Sequence, residues 1–158
     1  DVGIKAQTLK AAFQETIDRD TEAFDEVMAA FRLPKGTREE AARRDRAILL
    51  ANQGATRVPL ELLAKVADEL PPLIAAIVAR GNPNSLSDAG VAALTARAAL
   101  EGAWYNVLIN LEGIPDAAFR AEARAQGEAR YHTAARAFDD LAQGVRSTLL
   151  GRLDDGTP

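Results

Sequence analysis

The chain has 158 residues, 47% of them hydrophobic, with a formal net charge of −4, a single histidine and no cysteine. That length suits one compact domain, 1–158, with enough apolar material for a core. The acidic balance argues against nucleic-acid binding by bulk positive charge, the missing cysteine removes disulfide and thiolate chemistry, and no apolar run of about 20 residues is present to span a membrane.

Alanine, leucine, arginine and glutamate dominate and β-branched runs are absent, so the expected fold is all-α, an antiparallel bundle of long helices. The first helix is expected over about 4–32. Its large apolar residues are Leu9, Phe13, Ile17, Phe24, Val27, Met28 and Phe31, spaced by threes and fours with one hole. Asp20 fills the hole, seven residues after Phe13 and three after Ile17. A carboxylate in an apolar stripe either pairs with an arginine or caps a neighbour, or it is a buried general acid/base. With His132 expected on the surface of an Ala/Arg-rich helix, a carboxylate must carry any proton transfer.

Pro34 and Gly36 in RLPKGT end this helix, and Thr37 with Glu40 forms a capping box for the next. The second helix is expected over about 38–56, with REEAARRDR as a solvated face. Pro59 marks a kink or a restart, and the third segment, 59–80, is expected to bend at Pro71-Pro72. GNPNSLSD (81–88) gathers Asn82, Asn84, Ser85, Ser87 and Asp88 at the start of a fourth helix, about 86–111. It is a capped turn in the Ser-x-x-Asp pattern, or a helix N-terminus able to face an anionic ligand group. Within AWYNVLIN, Asn106 and Asn110 stand one turn apart on one helix face. They either cross-link helices or read the edge of a heterocycle such as a pterin or purine. GIPD turns the chain into a last helix, about 116–151, followed by the tail LDDGTP, expected to fray. No metal-ligand cluster, catalytic triad, Walker loop or Gly-x-Gly-x-x-Gly motif is present.

DRDTEAFDEVMAAFRLPKGTREE (18–40), ATRVPLEL (55–62), GNPNSLSDAGVAA (81–93) and AWYNVLINL (103–111) together resemble, in order and spacing, the cyclodeaminase/cyclohydrolase family of folate enzymes. The likeness runs from about residue 1 to 120, with a weaker helical match to 150. It implies an all-α homodimer with a tetrahydrofolate derivative as substrate and no bound cofactor; composition favours a cytoplasmic location, and the single histidine argues against a metal. The implied reaction is cyclodeamination of 5-formiminotetrahydrofolate to 5,10-methenyltetrahydrofolate with release of ammonia, to which NVLINL and RLPKGT are the more similar. The alternatives are methenyltetrahydrofolate cyclohydrolase and a non-catalytic helical dimerisation module.

The resemblance places the acid/base aspartate at Asp20, the second aspartate of Asp-x-Asp-x-x-Ala-Phe. It implies pterin binding or site ordering by Asn82, Asp88, Asn106 and Asn110. Arg32 and Lys35 either meet the folate glutamate tail or belong to a solvated basic loop. The family opens with a helix and a Pro-Gly-Gly-Gly-Ser segment before the region matching Asp1, so one wall of the site is expected to be missing here. Removal of the segment, its absence for lack of order, and a relative that has lost activity are the three readings of that departure.

Overall fold

The computed structural model describes residues 2–154, and those residues form four long helices and one short 3-10 turn, Pro83–Ser85. The helices are α1 (Val2–Phe31), α2 (Arg38–Arg80), α3 (Leu86–Glu112) and α4 (Ala117–Asp154). The all-α expectation holds. Most of the tail expected to fray, 155–158, lies outside the described residues; Leu153 and Asp154 belong to α4. No helix among the described residues is long and apolar enough to cross a membrane.

Helix ends follow their local chemistry. The Arg44 guanidinium donates to the Phe31 carbonyl at 3.2 Å, closing a free C-terminal carbonyl of α1. Thr37 and Glu40 form the capping box, with the Thr37 hydroxyl accepting from the Glu40 amide and the Glu40 carboxylate from the Thr37 amide. At α3 the Ser-x-x-Asp cap does not form. The Asn82 side chain instead accepts from the Asn84 amide and shapes the 3-10 turn. Asp116 serves two elements: one carboxylate oxygen accepts from the Phe119 amide at the start of α4, the other from the buried Gln53 amide of α2.

α2 is one helix of 43 residues, not two segments. It runs through Pro59, Pro71 and Pro72 because α1, α3 and α4 all pack on it, and that packing outweighs the local cost of each proline. The core lies where α2, α3 and α4 meet, around Leu63, Val66, Ile74, Leu100, Trp104, Val107, Ile114 and Phe138. Glycines allow α3 and α4 to approach closely: Gly127 lies against the Trp104 ring and Gly90 against Val145.

α1 packs on α2 alone. With one neighbour it buries only Leu9, Thr16, Ala23 and Ala30, a seam of seven-residue steps. Ile17, Phe24, Met28 and Phe31 stay exposed. The broad apolar stripe of the sequence is therefore not the buried face, and Asp20, which seemed to interrupt a core, lies exposed at the edge of the narrow seam. Large residues on α1 outnumber the places one partner helix can offer them.

The Gly127 contact gives a direct test. A methyl at Gly127 meets the Trp104 ring, whereas one at Gly144, on the same helix, meets nothing within 4 Å. Gly127→Ala should cost about 1–3 kcal/mol by overpacking. Gly144→Ala should gain up to about 1 kcal/mol from helix propensity. Thermal melts followed by circular dichroism should move in opposite directions.

Candidate functional site

Because α1 touches α2 but not α3, a groove opens between α1 and α3 with α2 as its floor. Midway along it lies a cleft of about 230 Å³ lined by Phe13, Thr16, Ile17, Asp20 and Thr21 of α1, Val58, Pro59 and Leu62 of α2, and Asn106 of α3. The floor is apolar. The polar groups are Asp20 on one wall and Asn106 on the other, with Thr21 beside Asp20. The Thr16 and Thr21 hydroxyls donate to the Ala12 and Ile17 carbonyls of their own helix. Among the described residues no ion pair or hydrogen bond engages the side chains of Asp20 or Asn106. The nearby Arg19 is taken by Glu61 at 2.7 Å.

Asp20 and Asn106 are thus a carboxylate and an amide across an apolar-floored cleft, both exposed and free for a ligand. The expected burial of Asp20 is absent. A cleft of this volume is below the several hundred Å³ common for small-molecule pockets, so it has room for one end of an elongated molecule, with the open groove beyond it.

Asn110 does something else. Its amide donates to the Ala55 carbonyl of α2 at 3.0 Å. Two amides expected to act together are divided: Asn106 faces the cleft and Asn110 binds backbone.

The remaining sequence candidates do not join the cleft. Asp88 and Asn106 are 18 positions apart on one helix, about 27 Å at 1.5 Å per residue. Asn82 caps the 3-10 turn at that far end, and the Asp88 side chain is exposed there. Arg32 and Lys35 follow the C-terminus of α1, whose last helical residue is about 17 Å up the axis from Asp20, and both are exposed. His132 is exposed on α4, its ring edge-on to Tyr131. No group of three or more metal-ligating side chains occurs among the described residues.

A second polar cluster, not singled out in the sequence, bridges α3 and α4. The Tyr131 hydroxyl donates to the Glu101 carboxylate at 2.7 Å, and the Arg97 guanidinium pairs with the same oxygen at 2.6 Å. The guanidinium lies over the Tyr131 ring, 5.4 Å from its centre, and that ring stacks on Trp104. The Tyr131 hydroxyl, and then Arg97, hold the Glu101 carboxyl below its ordinary range, while Glu101 raises Arg97 and Tyr131. The legible sign was the i,i+4 spacing of Arg97 and Glu101; Tyr131, 30 residues away, left none.

A family model for formiminotransferase-cyclodeaminase matches residues 2–129. The chain is 43% identical over 118 residues to a methenyltetrahydrofolate cyclohydrolase of Methylorubrum extorquens, covering 75% of this chain and 56% of that protein. It is 37% identical over 114 residues to a formimidoyltransferase-cyclodeaminase of Rattus norvegicus, covering 72% of this chain and 21% of the relative. The chain therefore spans about half of one relative and a fifth of the other. The fold is similar to the crystal structure of formiminotetrahydrofolate cyclodeaminase from Thermotoga maritima, with a TM-score of 0.65 at 26% identity, covering 83% of this chain and 62% of that one.

The Glu101 cluster predicts an acid-sensitive contribution to stability. A carboxyl whose folded pKa is depressed stabilises above its unfolded value, about 4.3, and that contribution is lost as pH falls through the folded value. Glu101→Gln keeps the shape and removes the charge. It should cost roughly 0.5–1 kcal/mol at pH 7 for this partly exposed pair. The difference from the parent should shrink below about pH 4, measured by urea melts at both pH values.

Proposed function

The chain belongs to the formiminotransferase-cyclodeaminase family, and from that premise we propose that it acts on the one-carbon bridge of a tetrahydrofolate, as a methenyltetrahydrofolate cyclohydrolase. The observation that carries the reading is the free Asp20 carboxylate facing Asn106 across the α1–α3 cleft. The 43% identity to a protein of that name supports the choice of reaction.

In this reading Asp20 takes a proton from the water that attacks the cationic methenyl carbon. The carbon–nitrogen bond on the ring side then breaks, and Asp20 returns the proton to the departing nitrogen. The product is the 10-formyl compound, with one proton released to solvent overall. Asn106 donates to or accepts from the heterocycle edge, since an amide can do either. The apolar floor of Val58, Pro59 and Leu62 receives the flat ring. Arg32 and Lys35, beyond the end of α1, are assigned to the glutamate tail at the far end of an elongated ligand.

Cyclodeamination is the second reading. The likeness to the Thermotoga maritima cyclodeaminase supports it, as do the NVLINL and RLPKGT segments. There the same carboxylate accepts the proton from the attacking bridge nitrogen and gives it to the leaving ammonia. Both reactions need one proton relay at one place.

We also assign a second copy of this chain to the outer face of α3. Val91, Leu94, Tyr105 and Ile109 are exposed there, with Ala98 and Gly102 between them. Large residues at both ends and small ones in the middle make the face self-complementary about a two-fold axis. Pairing two copies would bury these apolar side chains on both, as the core of a contact that must reach about 1,200 Å² in total to be stable.

The test pairs two assays on this chain: hydrolysis of 5,10-methenyltetrahydrofolate, and ammonia release from 5-formiminotetrahydrofolate. Hydrolysis without ammonia release is the expected result; the reverse selects cyclodeamination. Asp20→Asn should fold normally and lose at least about 100-fold of either activity. Parental turnover by that variant would remove Asp20 from the mechanism. No activity on either compound, and no thermal shift with a tetrahydrofolate analogue, would favour the non-catalytic dimerisation module. In sedimentation, Leu94→Glu should shift a dimer to monomer.

A further inference from the structure

Pro59 has no N–H, so the carbonyl four residues earlier, that of Ala55, has no helical donor. Pro59 is buried, and an unsatisfied carbonyl in such a place is costly. Pro71 and Pro72 leave the carbonyls of Ala67 and Asp68 without a helical donor in the same way, but those prolines are half-buried and exposed, whereas Pro59 is buried. At Pro59 the replacement donor is the Asn110 amide, from a different helix, at 3.0 Å. The hydrogen bond joins α3 to α2 four residues before the proline that lies in the cleft floor.

We infer that Asn110 is a positioning residue: its amide takes the place of the Pro59 N–H, pins the stretch of α2 that ends at Pro59 to α3, and so fixes the cleft floor relative to Asn106 and Asp20. The assignment rests on the folate reading for its catalytic consequence. For its mechanical consequence it rests on the geometry alone.

Three features make the clamp specific. Asn106, one turn before Asn110 on the same helix, lines the cleft, so a shift of α2 against α3 alters the wall-to-floor spacing directly. Val58 and Pro59 are floor residues within four positions of the pinned carbonyl. The opposite wall, α1, packs on α2 alone, so its place in the cleft is set through α2. A side chain that touches no ligand therefore sets the distance between the two that do.

The experiment uses three variants of the whole chain, Asn110→Ala, Pro59→Ala and the double, because Pro59→Ala restores a backbone donor for the Ala55 carbonyl. The first readout is amide hydrogen exchange across residues 58–63. Asn110→Ala should speed exchange there about tenfold in the parent and less than about twofold in the Pro59→Ala background. An equal increase in both backgrounds overturns the clamp. The second readout is turnover well below the melting temperature. Asn110→Ala should lower kcat several-fold with a smaller change in KM, and the loss should again be much reduced in the Pro59→Ala background. An active parent whose kcat is unmoved by Asn110→Ala overturns the positioning role. An inactive parent counts against the folate reading alone, and the exchange pair then decides the clamp.

Discussion

Three helices lean on α2, and α2 carries three prolines. The constraint on this molecule is that one helix must run unbroken for 43 residues past positions that cannot donate a hydrogen bond. Packing from three sides supplies the drive, because breaking α2 would uncover the Leu63, Val66 and Ile74 surface that α3 and α4 bury. Where the missing bond faces water, nothing more is needed. Where it is buried, at Pro59, a side chain from α3 makes it good. The tie that keeps the spine continuous is therefore next to the cleft, and structural and functional demands meet within four residues of α2.

The same spine explains the shape of the site. α3 and α4 pack on each other as well as on α2, and glycines against Trp104 and Val145 draw them close. α1 has no such second contact. A helix held on one side leaves a groove on the other, and the groove has an apolar floor because α2 must be apolar there to be a core helix. The walls carry polar groups because they face solvent. A carboxylate and an amide across a greasy floor follow from the way four helices share four interfaces, only one of which involves α1.

Much of this was legible in the chain. Helix content, the capping box at Thr37, the break at Pro34–Gly36 and the last turn before α4 each follow from local chemistry, and the structure keeps them. Asp20 could be picked out by its position in a stripe, and it does line the cleft. The reason given for it does not survive: the stripe is largely exposed, and the buried seam passes beside it. Amphipathic spacing shows which face a helix could bury, and not how many neighbours it will find. The prolines misled for a related cause, since a local helix breaker says nothing about packing from three sides. Asn106 and Asn110 looked equivalent because they share a helix face. Their division depends on a carbonyl 55 residues away, deprived of its donor by a proline, and no window of sequence holds both halves of that fact.

The single-sided attachment of α1 bears on cooperativity. α1 can separate from α2 while the α2–α3–α4 core remains assembled, so it is the natural unit of partial unfolding in this domain. Asp20 rides on that unit and Asn106 on the core. Any ligand gripped by both ties the loosest element to the firmest, and its binding energy goes partly into suppressing the opening of α1. Affinity and local order are then coupled: whatever steadies α1 beforehand, whether another chain or a change in its seam, tightens binding without adding a contact to the ligand.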